Sequence, residues 1–449
     1  MAGQLVFLHL SDIHFHTWSG SAYDDNALLR ETLLQDAGRV QEVLDVPARI
    51  LITGDIGFRA AADEYVIARR WLEELCNKFS LPFTSVRCIP GNHDIDQGVI
   101  KKSKVLEDVH NKLRAIPPTK LSTEIRDYME DPIARQIILT PLDEYNGFAA
   151  PLQCQVVPDS PTWYEDFILN DTSGLRLWGL NSTIVSDHLD NDYKTVVIGE
   201  YQLPTPKHGV VNIVMCHHPP DWWRDPDSVA DGLEAHCRVQ LFGHKHTQKL
   251  KKIDNTLVLT AGAVQPDKTE RNWEPRYNWL ALSVSGIGTN RKLCVQVFPR
   301  IWEPSTSAFV PDSNRCNGKD HRTELLVLED WKPVDGDPES AKGISGDFAS
   351  VDGQPATPEP AAAKEINPME PARILTYRFF DLPHVTRIDI ACELELYMDE
   401  DEGLQDFELF DRILRRAIER DLLARLWEEV EIRHGDGKYK SNPFEKKPS

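Results

Sequence analysis

Asp12, His14, Asp55, Asn92, His93, Asp94, His217, His218, His244 and His246 arrive in five short clusters. These read Asp12-Ile13-His14, Gly54-Asp55, Gly91-Asn92-His93-Asp94, His217-His218 and Gly243-His244-Lys245-His246. Carboxylates, imidazoles and one amide form a nitrogen–oxygen donor set suited to divalent transition metals such as Mn, Fe, Ni, Zn or Co. The donors suffice for two ions rather than one, and a carboxylate is a natural bridge between ions about 3.5–4 Å apart. Singly, each cluster has an ordinary explanation. Gly-Asp and Pro-Gly-Asn are common turn sequences, Asp12 could cap a turn, and His-His-Pro-Pro reads as a loop. His244 and His246 would share one face of a strand. Together they argue for a site, because each cluster follows a short apolar run and such groups are expensive to bury without partners.

Those apolar runs are the elements that must position the clusters. Leu5–Leu10, Arg49–Thr53 and Ser85–Ile89 have the length and composition of buried strands. Between them, Asp24–Leu44 and Ala61–Phe79 carry apolar residues at helical spacing, with Asp24 or Asp25 as an N-cap and Pro47 beyond the first helix. Strand thus alternates with helix, and each strand delivers polar groups at its carboxyl end, as open α/β sheets do for their ligands. Glycines before Asp55, Asn92 and His244 let the backbone turn tightly there. Residues 97–160 read as an insertion with polar helices over Lys101–Ile116 and Thr123–Gln136. Leu175–Leu180, Val210–Cys216 and Arg238–Phe242 read as strands ending in polar residues. Thr256–Ala261, Trp279–Val284 and Lys292–Phe298 read as strands of a second sheet, with His321–Leu328 after them.

The 449 residues predict two units. A net charge of −21 argues against broad, sequence-independent binding of nucleic-acid duplex, leaving nucleic acid only as a substrate in a local groove. The eight cysteines are scattered without a C-x-x-C pair, which is neither a disulfide framework nor a zinc ribbon. The N-terminal apolar run reaches Asp12 too soon for a signal peptide, and no run is long enough for a membrane span. The expected compartment is the cytoplasm. From 331 to 371, Pro, Ala, Gly, Ser and acidic residues replace large apolar ones, the composition of a disordered linker. Apolar residues return at helical spacing over 372–434, as in Phe407, Phe410, Leu414, Ala417 and Leu422, Leu426, Val430, and a flexible tail fills 435–449.

The ordered series Ser11-Asp12-Ile13-His14, Thr53-Gly54-Asp55, Gly91-Asn92-His93-Asp94, His217 and Gly243-His244-Lys245-His246 resembles the calcineurin-like metallophosphoesterases over about residues 1–330. The resemblance implies a four-layer sandwich, two mixed β-sheets flanked by helices. It implies one ion held by Asp12, His14 and His246, another by Asn92, His217 and His244, and Asp55 between them. A hydroxide generated between two cations would attack phosphorus, with His93 assisting the leaving group and Asp94 positioning His93. His217 is preferred to His218 as ligand because it directly follows the strand; the reverse stays open, and His218 otherwise faces substrate or supports a ligand. Lys245 is either solvated or reaches the substrate phosphate. His9 reads as a core residue and His16 as a rim residue. The implied function is hydrolysis of a phosphodiester or nucleotide-type substrate, the alternatives being a nuclease, a phosphomonoesterase or a non-catalytic scaffold. The C-terminal unit, through Arg387-Ile388-Asp389-Ile390-Ala391, Asp406–Phe410, Arg416-Ala417 and Leu422–Val430, resembles the small death-like adaptor domains of bacterial conflict-system effectors. It implies a protein partner, the alternative being a generic helical bundle.

Overall fold

The computed structural model describes residues 3–16, 26–187, 194–225, 227–266 and 273–331. In the C-terminal region it describes 375, 378, 379, 382, 384–398, 401, 409, 412, 413, 416–418, 420–434 and 442–444. The linker expected over 331–371 lies, from 332 on, outside the described residues, as do the expected caps Asp24 and Asp25, much of 399–411 and most of the tail. The chain divides into two compact units, Met1–Val351 and Asp352–Ser449.

In the first unit the chain begins β1 (Leu5–Leu10), α1 (Ala27–Leu44), β2 (Arg49–Thr53), α2 (Ala62–Lys78) and β3 (Val86–Ile89). β1, β2 and β3 pair in parallel, Leu8 lying opposite Ile50 and Ile52 opposite Cys88. The helices α3 (Gln97–Lys102), α4 (Lys104–Ala115), α5 (Pro118–Glu130), α6 (Pro132–Leu139) and α7 (Asp143–Ala149) form the insertion. Residues of α4, α5 and α6 share an apolar cluster with Ile184, Val185 and Val197. Then follow β4 (Trp163–Ile168), β5 (Gly174–Gly179), β6 (Val210–Cys216), α8 (Asp227–His236), β7 (Cys237–Phe242), β8 (Lys249–Ile253) and β9 (Thr256–Thr260). The unit ends with β10 (Arg276–Ser285), β11 (Lys292–Glu303), β12 (Ala308–Pro311) and β13 (Arg322–Val327).

Two mixed sheets result. One has the order β12-β11-β10-β1-β2-β3, with β13 also on β11; the other runs β4-β5-β6-β7-β9-β8. The strands over Trp279–Val284 and Lys292–Phe298 therefore do not join the second sheet, as the sequence led us to expect. The chain returns to pair β10 antiparallel to β1, Leu5 against Leu282, which makes β1 an interior strand between β10 and β2. The main core includes Phe7 and Leu51 of the first sheet and Ile213, Leu241 and Leu259 of the second, all at 2% exposure or less, and Phe7 meets Phe167 of β4 across the sheets with ring centroids 5.3 Å apart. Outside the second sheet, Val229 and Leu233 of α8 pack on Val214 and Phe242. Because this core holds the sheets face to face, the carboxyl ends of β1, β2, β3, β6 and β7 lie along one edge. His9, inside β1, is buried with Nε2 3.0 Å from Thr53 Oγ1.

The second unit contains helices His384–Glu393 and Leu423–His434. Ile390, Ala391, Leu394, Leu426, Trp427 and Val430 form part of its own core. Buried Asp401 accepts from the Arg416 guanidinium, with Nη2 2.9 Å from Oδ1. Among the described residues no helix is long and apolar enough to cross a membrane.

Candidate metal centre

All five clusters converge where the strands end. Asp12 follows β1, and its backbone N–H donates to Gly54 O at 3.1 Å, locking the first two loops together. Asp12, His14, Asp55, His244 and His246 all adopt positive φ, between 51° and 66°. Non-glycine residues rarely do this, and such strain concentrates where a site requires particular side-chain directions. His244 and His246 consequently sit on a turn beyond β7, not on one face of a strand.

Asp55 is at the centre. Its Oδ2 lies 3.3 Å from His14 Nε2 and 3.2 Å from His217 Nε2, while Oδ1 accepts the His93 N–H at 2.8 Å. On one side, Asp12 Oδ1 faces His246 Nε2 at 3.3 Å, and Asp12 Oδ2 accepts Ser11 Oγ at 2.5 Å and the His244 N–H at 3.2 Å. On the other, Asn92 Oδ1 is 3.1 Å from His217 Nε2 and 3.0 Å from His244 Nδ1. His217 Nδ1–H donates to Thr53 O at 2.7 Å, which leaves Nε2 as the atom turned inward. Asp12, His14 and His246 offer one compact donor group; Asp12, Asp55 and His217 offer another.

The electrostatics match lone pairs packed together. Burial pushes the Asp55 carboxyl up, but His217 and His93 outweigh it and hold Asp55 well below the usual range. Burial would lower His217, yet Asp55 and Asp12 raise it to about 9. Burial, then the charge of His217, drives His244 down to about 3. Carboxylate oxygens and imidazole nitrogens this close, and this poor in water, fit divalent cations. The glycines fit too. A Cβ on Gly91 would lie 2.1 Å from Asp55 Oδ1, one on Gly54 2.5 Å from His217 Nδ1, and one on Gly243 2.3 Å from Ser11 Oγ. The three glycines are therefore needed for close approach at the site.

His93 lies at the cleft wall. Its Nδ1–H donates to Phe58 O at 2.8 Å, and its ring stacks on Phe58 at 5.1 Å and 18°. Nε2 is therefore the nitrogen left to meet a ligand. Asp94 does not hold this ring, a correction to the expectation from sequence. Its carboxylate is fully buried and accepts Gly91 N–H and Gly57 N–H, both at 2.9 Å, Ile56 N–H at 3.2 Å and Tyr65 Oη at 3.0 Å. The short Gly91–Asp94 spacing makes a capping interaction with the turn itself, too tight to reach an imidazole pointing outward. Burial and the charge of Asp55 raise Asp94 to about 6. Asp94 thus ties the turn after β3 to the loop after β2, and acts on His93 only through that loop.

His218 is also not substrate-facing. It is fully buried, its Nδ1 2.8 Å from Ser182 Oγ, and burial drives its imidazole well below the usual value. Lys245 pairs with Asp221 across the cleft mouth. The cleft, about 420 Å³, is lined by Asp55, Asn92, His93, Trp222, His244, Lys245, His246, Thr247 and Lys249. His16 sits at the rim, with Nδ1–H donating to His14 O at 3.0 Å.

Sequence reasoning missed Phe58, Glu64 and Trp222. Glu64 Oε2 accepts the N–H groups of Phe58, Arg59 and Ala61 at 3.0, 2.8 and 3.2 Å, fixing the loop that supports His93. Its signal was present: a glutamate at the third position of α2 is where a helix start recruits an acceptor for its orphan N–H groups. Trp222 follows Pro219-Pro220 and meets His244 edge-on, ring centroids 4.2 Å apart.

Among solved structures the chain is similar to a Vps29 single mutant from Entamoeba histolytica, at 10% identity and TM-score 0.31 over 72% of this chain and 100% of that one. It is similar to a putative 5'-nucleotidase from Staphylococcus aureus, at 13% and 0.33 over 76% and 58%. It is also similar to GAP50, the anchor in the inner membrane complex of Plasmodium, at 10% and 0.35 over 80% and 100%. Likeness this distant carries no functional argument. No curated protein matches the chain. A GTPase-associated adaptor domain matches residues 371–432, in agreement with the adaptor resemblance of the C-terminal unit. Calcineurin-like phosphoesterase matches residues 5–248, more than half of the 449 residues, with every cluster of the site but its last loop's flank inside the match. The chain belongs to the calcineurin-like phosphoesterase family.

Proposed function

We propose that the protein is a two-metal phosphoesterase acting on a phosphodiester or nucleotide-type substrate, carried to its target by the C-terminal unit. The observation that carries the reading is Asp55 Oδ2, within 3.3 Å of both His14 Nε2 and His217 Nε2. Asp12, His14 and His246 would hold one ion, Asn92, His217 and His244 the other, and Asp55 both. Bound divalent cations supply charge neutralisation at phosphorus and a water acidic enough to attack at neutral pH. The chain's own residues supply the rest. Phe58 O fixes the His93 tautomer, so protonated His93 offers Nε2–H to the leaving oxygen, and the turn at Asn92, anchored by buried Asp94, keeps that proton beside the scissile bond.

Trp222 supports a nucleotide over a bare phosphate, since its ring borders the cleft beside His244 and every base has a face that can stack. A nuclease acting on single strands has its own support. Lys249 and Lys251 share one face of β8, are exposed, and form no ion pair among the described residues. For the C-terminal unit we propose a protein partner, a GTPase or a chain bearing a like adaptor, in a bacterial conflict or signalling system. All eight cysteines are unpaired, which supports a cytoplasmic location.

The test is metal-reconstituted protein assayed on monoesters, diesters, cyclic nucleotides and single- and double-stranded nucleic acids. Diester or nucleotide turnover is expected, and turnover of non-nucleotide monoesters alone would refute the substrate reading. Deleting residues 331–449 should leave small-diester hydrolysis intact while abolishing partner capture; loss of hydrolysis would refute the tether.

A further inference from the structure

His218 is adjacent to a proposed ligand but is not used by the mechanism above. It is fully buried, and its Nε2 has no hydrogen-bond partner. Its neighbours determine which nitrogen carries the proton. Ser182 Oγ accepts the His218 backbone N–H at 3.2 Å and lies 2.8 Å from Nδ1. A serine hydroxyl can donate its one proton or accept through its oxygen, so either tautomer of His218 satisfies Nδ1 and Nε2 decides between them. The Cys216 thiol donates to His218 O at 3.4 Å. Buried N–H groups without an acceptor are rarer and costlier than buried lone pairs without a donor, so Nδ1–H donates to Ser182 Oγ. Nε2 then carries a lone pair, aimed away from Ser182 and shielded from water. The opposite tautomer would bury an unpaired N–H at Nε2.

The His218 ring is not in an apolar pocket. One ring nitrogen from each of His217, His218 and His244 lies within 4.8 Å of the others. The His218 ring is 4.8 Å from the His217 ring, nearly perpendicular, and 4.5 Å from that of His244. His217 and His244 both turn a nitrogen toward Asn92 Oδ1. A buried lone pair beside two proposed ligands, held in its tautomer by a serine, is how second partners orient metal-binding imidazoles.

We propose that His218 is a further protein ligand, through Nε2, of the ion held by Asp55, Asn92, His217 and His244, with Ser182 as its positioning residue. The inference rests on the two-metal reading. It makes this position rich in imidazole and poor in carboxylate, so it should favour zinc, cobalt or nickel over manganese, whereas the position of Asp12, His14 and His246 should discriminate less.

The test is titration of full-length, metal-stripped protein with cobalt, followed by visible absorption and by chelator competition. Wild type should take up two equivalents. His218→Gln should bind one equivalent as wild type does and the other at least about tenfold more weakly, with an altered absorption band. Ser182→Ala should give a smaller loss that Ser182→Thr restores. Wild-type affinity and spectrum for both equivalents in His218→Gln would overturn the proposal. Failure of wild type to bind a second equivalent would overturn the two-metal reading instead. Should His218→Gln not fold, a crystal structure of zinc-loaded wild type decides: Nε2 is expected at about 2.0–2.1 Å from zinc, and a non-bonding separation would overturn the assignment.

Discussion

Replacing Glu64 with alanine tests how the loop after β2 serves the leaving group. Glu64 is 2% exposed, and one oxygen accepts three N–H groups at 2.8–3.2 Å. A hydrogen bond to a charged group contributes roughly 1.5–3 kcal/mol. The three share one oxygen, and their donors are only part-buried, so water can replace part of what is lost. The expected destabilisation is therefore about 2–4 kcal/mol rather than the full sum. The catalytic effect follows from what the loop holds. Phe58 O fixes His93 Nδ1, and a positioned general acid contributes about 10²–10⁴-fold. Loosening Phe58 should cost kcat about 10–100-fold on an alkyl diester. A nitrophenyl ester, whose leaving group departs without a proton, should lose far less. Metal content should not change, since none of the three N–H donors belongs to a proposed ligand. Parallel kinetics on both esters, with metal analysis and denaturant unfolding, read all of this. An equal loss on the two esters, or a loss of metal, would refute the reasoning.

Other outcomes follow from the same geometry. His93→Ala should retain both ions by elemental analysis yet lose about 10²–10⁴ in kcat on alkyl esters; unchanged turnover would remove His93 from the leaving-group role. Gly91→Ala places a methyl 2.1 Å from Asp55 Oδ1, so metal uptake should fall sharply while the fold, by circular dichroism, persists. Asp401 is lowered chiefly by its hydrogen bonds from Arg416. A folded value below the unfolded one contributes stability that is present above 3.8 and lost as pH falls through the folded value. Hydrogen exchange in Leu423–His434, referenced to intrinsic rates, should show that acid loss in wild type and not in Asp401→Asn.

The strands that end in ligands were legible because each is a short apolar run closed by polar residues. Leu5–Leu10, Arg49–Thr53 and Val210–Cys216 have the same limits in sequence and in structure. The edge strand β8 was not. β8 reads Lys-Leu-Lys-Lys-Ile and is exposed at most positions, so its sequence lacks the apolar signal of a buried strand. Sheet membership of β10 and β11 was equally hidden, because pairing with β1 is a non-local choice that local periodicity does not encode. At the site, residue types revealed the ligands, whereas directions came from the backbone. Positive φ at His244 and His246 is invisible in Gly-His-Lys-His, and so is the path of Asp94, which the turn captures before it can reach His93. Hydrogen-bond partners, not burial, separate His217 from His218: both are fully buried after β6, but only His217 combines a partnered Nδ1 with an Nε2 facing Asp55 and Asn92.

The central claim is that Asp55 holds two ions that hydrolyse a phosphoester. Metal-stripped full-length protein should be reloaded with manganese, its bound metal counted, and its hydrolysis of a nitrophenyl diester followed, beside Asp55→Ala. The account expects two ions per chain with turnover that chelator abolishes, and in Asp55→Ala the loss of bound metal and activity together. Full metal occupancy or undiminished turnover in Asp55→Ala, or a wild type that neither binds metal nor cleaves the ester, would contradict it.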